Sequence, residues 1–168
     1  MEKESKKGKV FAYVVMGIYL LFLCWLILFK IADILDKIPS RRSINLVPFY
    51  YGGFNGSQFQ LFDILYNMLV FVPAGFYFAA LGKKKIISGI GGCFILSLSF
   101  EVLQWVFAIG SSDITDLITN TAGGVVGTVI YFLLRKISRG HEVKIVSIMG
   151  AIIEVGLIGL LVLLFVSN

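Results

Sequence analysis

The sequence predicts an all-α fold: a polytopic transmembrane helical bundle with about five membrane-spanning helices. Its apolar residues gather in long uncharged runs, close to the roughly 20 residues that a helix needs to cross about 30 Å of hydrocarbon. Only 15% of the 168 residues are charged and 58% are hydrophobic, whereas a soluble domain is about a quarter charged. Lys and Arg collect in the N-terminal tail and the short connections, so the net charge of +5 reads as membrane orientation rather than as a nucleic-acid surface. The many short alternating segments of a transmembrane barrel are absent.

Residues 1–9 form a basic tail with Lys3, Lys6, Lys7 and Lys9. The first helix, Val10 to Phe29, is too long for a signal core. No small-x-small cleavage site follows it, so it is expected to be retained. Residues 30–60 are the longest polar connection, and their Asn45-to-Phe54 stretch, rich in aromatic residues and glycine, suits an interfacial loop between the first two helices. The second helix runs from about Phe59 to Leu81, with Pro73 removing one backbone hydrogen bond, a loss that membrane bundles tolerate. The third spans about Ile86 to Phe107, and a tight turn at Ile109 to Ser112 leads into the fourth, about Asp113 to Leu134. Gly123 and Gly127 there have GxxxG spacing, a packing signal that also fits a homo-oligomer contact through that helix face. A basic connection, 135–144, precedes a terminal segment, 145–168, holding the fifth helix from about Lys144 to Val166.

With five spans, the tail, Lys83–Lys85 and the Arg135–Lys144 connection share one side, which the positive-inside rule makes cytoplasmic. The N-terminus is then cytoplasmic and the C-terminus extracytoplasmic. Lys30, Lys37, Arg41 and Arg42 fall on the outer side against that rule, which points to another task for the two arginines.

Polar residues at the outer ends of these helices carry the functional signal, because an ionised side chain at a helix centre costs about 2.5–3.5 kcal/mol on insertion scales. Glu101 lies about 22 Å along the third helix, with Gln104 one turn on and on the same face. Asp113, Asp116 and Asn120 follow i, i+3, i+7 and so line one face of the fourth helix. Helix capping explains Asp113 and part of Asp116, but not Asn120 within the apolar run. Asn67 lies one turn beyond Asp63 in the second helix, and Glu154, inside the fifth, is a weaker candidate. Arg41 and Arg42, with Asn45 nearby, match carboxylate or phosphate bidentately, although snorkelling to lipid headgroups is the plainer alternative. Cys24 and Cys93 sit in apolar runs as small hydrophobes, and His141 lies in a basic loop, so neither a transition-metal site nor a cofactor is expected.

These motifs together resemble the VanZ-like family of integral membrane proteins. Arg42-Ser43-Ile44-Asn45-Leu46-Val47-Pro48-Phe49 resembles its opening motif, and Asn67 with Phe71-Val72-Pro73-Ala74-Gly75-Phe76 its second. Ser99-Phe100-Glu101-Val102-Leu103-Gln104 matches its Ser/x/Glu/x/x/Gln element, and Asp113 through Gly127 its closing Asp/Asp/Asn/Gly signature. The matched motifs cover residues 41–134, within a domain of 10–134, and leave the fifth helix outside. Many relatives carry a basic residue just before the first Asp of the last motif, where this chain has Ser111 and Ser112.

The resemblance implies a bacterial cytoplasmic-membrane protein tied to cell-envelope physiology or to resistance against teicoplanin, a lipid-bearing glycopeptide. On that basis the preferred expectation is an outward-facing polar site for an amphiphile: a membrane lipid, a lipid-linked wall precursor or a lipoglycopeptide. Arg41 or Arg42 would hold an anionic group, Asn45, Asn67, Gln104 and Asn120 would hydrogen-bond the ligand, and Glu101, Asp113 and Asp116 would orient the arginine or recognise a cation. An intramembrane enzyme is the alternative, with Glu101 as general acid or base and Asp113 and Asp116 sharing the proton work or binding Mg²⁺. No activated Ser, Cys or His nucleophile is evident. A lipid transporter and a structural accessory subunit stay open.

Overall fold

The computed structural model of the protein describes residues 6–29, 43–49, 57–108 and 111–167. They form α1 (Lys6–Phe29), β1 (Ser43–Asn45), α2 (Ser57–Leu81), α3 (Lys85–Phe107), β2 (Ser111–Asp113), α4 (Ile114–Ser138) and α5 (Glu142–Ser167). The chain is therefore an all-α helical bundle, with one unforeseen addition: β1 and β2 pair in parallel as a two-stranded sheet. Arg41, Arg42 and the aromatic stretch 50–54 lie outside the described residues.

Among the described residues, four helical segments are long and apolar enough to cross a bilayer: Lys6–Ile27, Leu61–Leu81, Lys85–Phe107 and Ile114–Ser138. Their polarity is the inverse of a soluble protein's. Leu21, Phe62, Leu69, Ile87 and Ile95 are exposed, while Asn67, Ser97, Glu101, Gln104 and Asn120 are buried. Lipid-facing apolar groups and inward-facing polar ones are what a hydrocarbon solvent demands, and the protein is a membrane protein.

The helix ends differ from expectation in three places. α1 starts at Lys6, because a basic first turn can still satisfy helix geometry outside the apolar run. α4 continues to Ser138, so Arg135 and Lys136 occupy its last turn, where the negative dipole end favours cations. The connection to α5 shrinks to residues 139–141, with Arg139 and Gly140 at positive φ.

The chain divides into two compact units. One joins Met1–Phe22 to Leu133–Asn168, and the other is Leu23–Phe132. In the first, Ala12 and Val15 of α1 and Val143, Ser147 and Glu154 of α5 are buried. Glu154 keeps one carboxylate oxygen without a partner among the described residues.

The second unit carries the matched motifs. α3 buries the stripe Gly89, Cys93, Ser97, Phe100, Glu101 and Gln104, whose three- and four-residue steps trace one helical face. α4 buries Thr115, Thr119, Asn120, Gly123, Gly124, Gly127, Thr128 and Tyr131. Small residues let backbones meet here: a Cβ on Gly123 or Gly127 would collide with the α2 main chain at Met68 or Val72, and one on Gly124 with Cys93. α2 of the same chain packs closely against the Gly123/Gly127 face. α2 runs through Pro73, which leaves the Leu69 carbonyl without its usual donor.

Candidate functional site

The site forms where the connection after α1 returns to the start of α4. Ser43, Ile44 and Asn45 pair with Ser111, Ser112 and Asp113 in that register. Side chains lock this short ladder. Asn45 Nδ2 donates to Asp113 Oδ2 at 3.0 Å, while Asn45 Oδ1 accepts from the Val47 amide at 3.1 Å in a local turn. Asp113 Oδ1 accepts from the Thr115 amide at 2.7 Å, so Asp113 caps α4 from the last residue of β2. The Thr115 hydroxyl oxygen accepts from the Phe49 amide at 3.0 Å and closes the turn after β1, where Phe49 stands at φ 56°.

α3 supplies the floor. Glu101 Oε2 accepts from the Asp113 amide at 2.7 Å, and the Ser112 hydroxyl donates to the Glu101 carbonyl at 2.7 Å. Ser112 thus anchors the start of α4 to α3. α3 itself stops at Ala108, which turns into the left-handed region at φ 54° and donates back to Gln104 and Trp105 carbonyls.

Farther along α4 the same face meets other helices. Asp116 Oδ1 accepts from Asn67 Nδ2 of α2 at 2.7 Å. Asn120 Nδ2 donates to Ser97 Oγ of α3 at 2.9 Å. The i, i+3, i+7 face of α4 therefore grips β1, α2 and α3 in turn. A VanZ/LLP1 family profile matches residues 16–135 of this chain.

The chain belongs to the VanZ/LLP1 family.

It is 37% identical over 132 residues to Protein VanZ of Enterococcus faecium, across 77% of this chain and 78% of that one. No solved structure matches it. The VanZ/LLP1 match contains Glu101, Asp113, Asp116, Asn45, Asn67, Gln104 and Asn120, and it ends before α5 and Glu154.

The structure brings Asn45, Glu101 and Asp113 into one hydrogen-bonded group, and pairs Asn67 with Asp116 beside it. Gln104 is directed elsewhere, its Nε2 lying 3.4 Å from the Ile27 carbonyl of α1. Among the described residues, the carboxylates of Glu101, Asp113 and Asp116 do not converge as a metal-ligating group. Each is engaged by a different donor instead. Gln104 Oε1 and Asn120 Oδ1 are buried without a hydrogen-bond partner among the described residues, a state that costs about 1–3 kcal/mol per group.

Beside this network lies a groove of about 270 Å³, lined by Ile44 and Leu46 of β1 and the turn after it, Leu98, Glu101, Val102 and Trp105 of α3, and Ser112, Asp113, Ile114 and Leu117. Its walls are apolar and its polar groups come from the network.

Sequence reasoning did not single out Ser97 and Thr115, and met Ser112 only as a departure from the family pattern. Ser97 was within reach, since it stands four residues before Glu101 on the face that also holds Cys93 and Gly89. Ser112 and Thr115 were not, because their partners depend on the strand pairing, which no local pattern announces.

Proposed function

We propose that this VanZ/LLP1 protein contributes to envelope physiology or lipoglycopeptide resistance by binding an amphiphilic or lipid-linked ligand at the outer face of the cytoplasmic membrane. The observation that carries the reading is the junction of a half-buried hydrogen-bonded acid cluster, Glu101 with Asp113 and Asn45, and an adjoining apolar groove at one end of membrane-crossing helices. A polar head beside an apolar chain is the chemistry that such a junction complements. In this reading Asp113 is chiefly architectural, since both its oxygens serve β1 and the α4 cap. Glu101 and Asp116 are the acids closest to a ligand role, and Arg41 and Arg42, just before β1 in sequence, would hold an anionic group. The orientation follows the basic connections, with the N-terminus cytoplasmic and the site extracytoplasmic.

Teicoplanin susceptibility in a sensitive Gram-positive host tests the reading, comparing wild type with Glu101→Gln and Asp116→Asn at matched membrane abundance. Protection by wild type and loss in both variants is expected. Equal protection by all three would assign the acids to architecture alone.

One feature supports the enzymatic alternative: Glu101 holds the Asp113 amide through a single oxygen and has a second for proton transfer. Turnover of a lipid-linked precursor by purified protein, lost in Glu101→Gln, would favour it.

A further inference from the structure

We infer that the groove beside Glu101 takes a single-chain amphiphile with an ammonium headgroup, the chain lying along Leu98, Val102 and Leu117 and the nitrogen meeting Glu101 Oε1. The inference rests on the amphiphile reading above and specifies the headgroup's charge.

The first support is the state of Glu101. The residue is 8% exposed, yet it lines the groove, and only its Oε2 is engaged, by the Asp113 amide. Oε1 has no hydrogen-bond or ionic partner among the described residues. A carboxylate oxygen so placed accepts a donor, and a charged donor strengthens the bond about twofold over a neutral one.

The second support is the groove wall. Leu46, Val102, Trp105 and Leu98 line the groove with exposed apolar surface, so a chain lying there meets apolar walls. The volume of about 270 Å³ holds a length of alkyl chain, not a folded partner.

The third is charge. Among the described residues that line the groove, Glu101 and Asp113 are acidic and none is Lys, Arg or His. The Ser112 hydroxyl beside the groove is spent on the Glu101 carbonyl, not on its carboxylate. An anionic head would face two acids, and a neutral one would leave their charge unmatched.

Trp105 in the groove wall is a built-in reporter, and replacing the chain's other tryptophan by Trp25→Phe isolates it. The full-length protein in phosphatidylcholine nanodiscs would be titrated with bromine-tailed alkyl ammonium, alkyl sulfate and alkyl maltoside of equal chain length. Saturable quenching is expected, with the ammonium about tenfold tighter than the maltoside, the scale of one charge-assisted hydrogen bond. Glu101→Gln still offers an oxygen to the Asp113 amide but puts an amide in place of Oε1. It should erase the ammonium preference, so that ammonium and maltoside bind equally. Val102→Phe, at an exposed wall position, should weaken all three probes.

Tighter binding of the sulfate would overturn the inference and point to the arginines before β1. An ammonium preference that survives Glu101→Gln, or quenching untouched by Val102→Phe, would overturn it too. If Glu101 and Asp116 govern teicoplanin protection while no headgroup is preferred, the amphiphile site stands and the headgroup assignment falls. If no probe saturates, the groove is not a chain site at all.

Discussion

Asn45 and Asp113, 68 residues apart, face each other across one rung of a two-stranded parallel sheet and join side chains at 3.0 Å. The contact ties the connection after α1 to the start of α4, and the same aspartate caps that helix. A double-mutant cycle of Asn45→Ala and Asp113→Asn, read by thermal unfolding in detergent, should give a coupling energy of about 0.5–3 kcal/mol. Additivity would mean that backbone pairing alone holds the strands.

The fold class was legible because it rests on the length of uncharged runs, which hydrocarbon thickness dictates. The shared face of Asp113, Asp116 and Asn120 was legible for a similar reason, since helical phase is a local property. What each of them grips was not. Asn67 meets Asp116 across 49 residues, and Asn120 meets Ser97 across 23, through packing that no local rule encodes. The strand pair was hidden because three residues such as Ser111-Ser112-Asp113 read as a turn until their partner is known.

Asn67 and Asp116 permit a test that separates architecture from charge. Asn67→Asp alone sets two carboxylates against each other and should cost about 1.5–3 kcal/mol, the range for a hydrogen bond to a charged group. Asp116→Asn keeps a neutral hydrogen bond and should cost less. The exchange Asn67→Asp with Asp116→Asn rebuilds the bond with the charge moved to α2. Recovered thermal stability with teicoplanin protection still absent would show that the position of the charge matters. Recovery of both would make the pair structural.

The glycines of the central unit should divide sharply by location. Gly127→Leu drives a side chain into the α2 main chain at Val72, an overpacking that costs upward of about 1–3 kcal/mol, and folded yield by size-exclusion chromatography should fall. Gly91→Ala meets nothing within 4 Å and gains helix propensity, so its stability should be unchanged or higher. Equal tolerance at both positions would contradict the close α2–α4 approach.

Cysteine chemistry probes the α3–α4 contact without altering it. Cys93 is 0% exposed, and its side chain lies where a Cβ on Gly124 would fall, whereas Cys24 is only partly covered. A membrane-permeant maleimide should therefore label Cys24 first in the native protein and reach Cys93 only on unfolding. Mass spectrometry would assign the two sites. Gly124→Ala should displace the Cys93 side chain, loosen the helix pair and bring Cys93 labelling forward to milder denaturant. If Cys93 reacts in the native wild type as fast as Cys24, then α3 and α4 open readily at this level. Ser97 and Asn120, one turn from Cys93 and Gly124 respectively, could not then keep their bond intact.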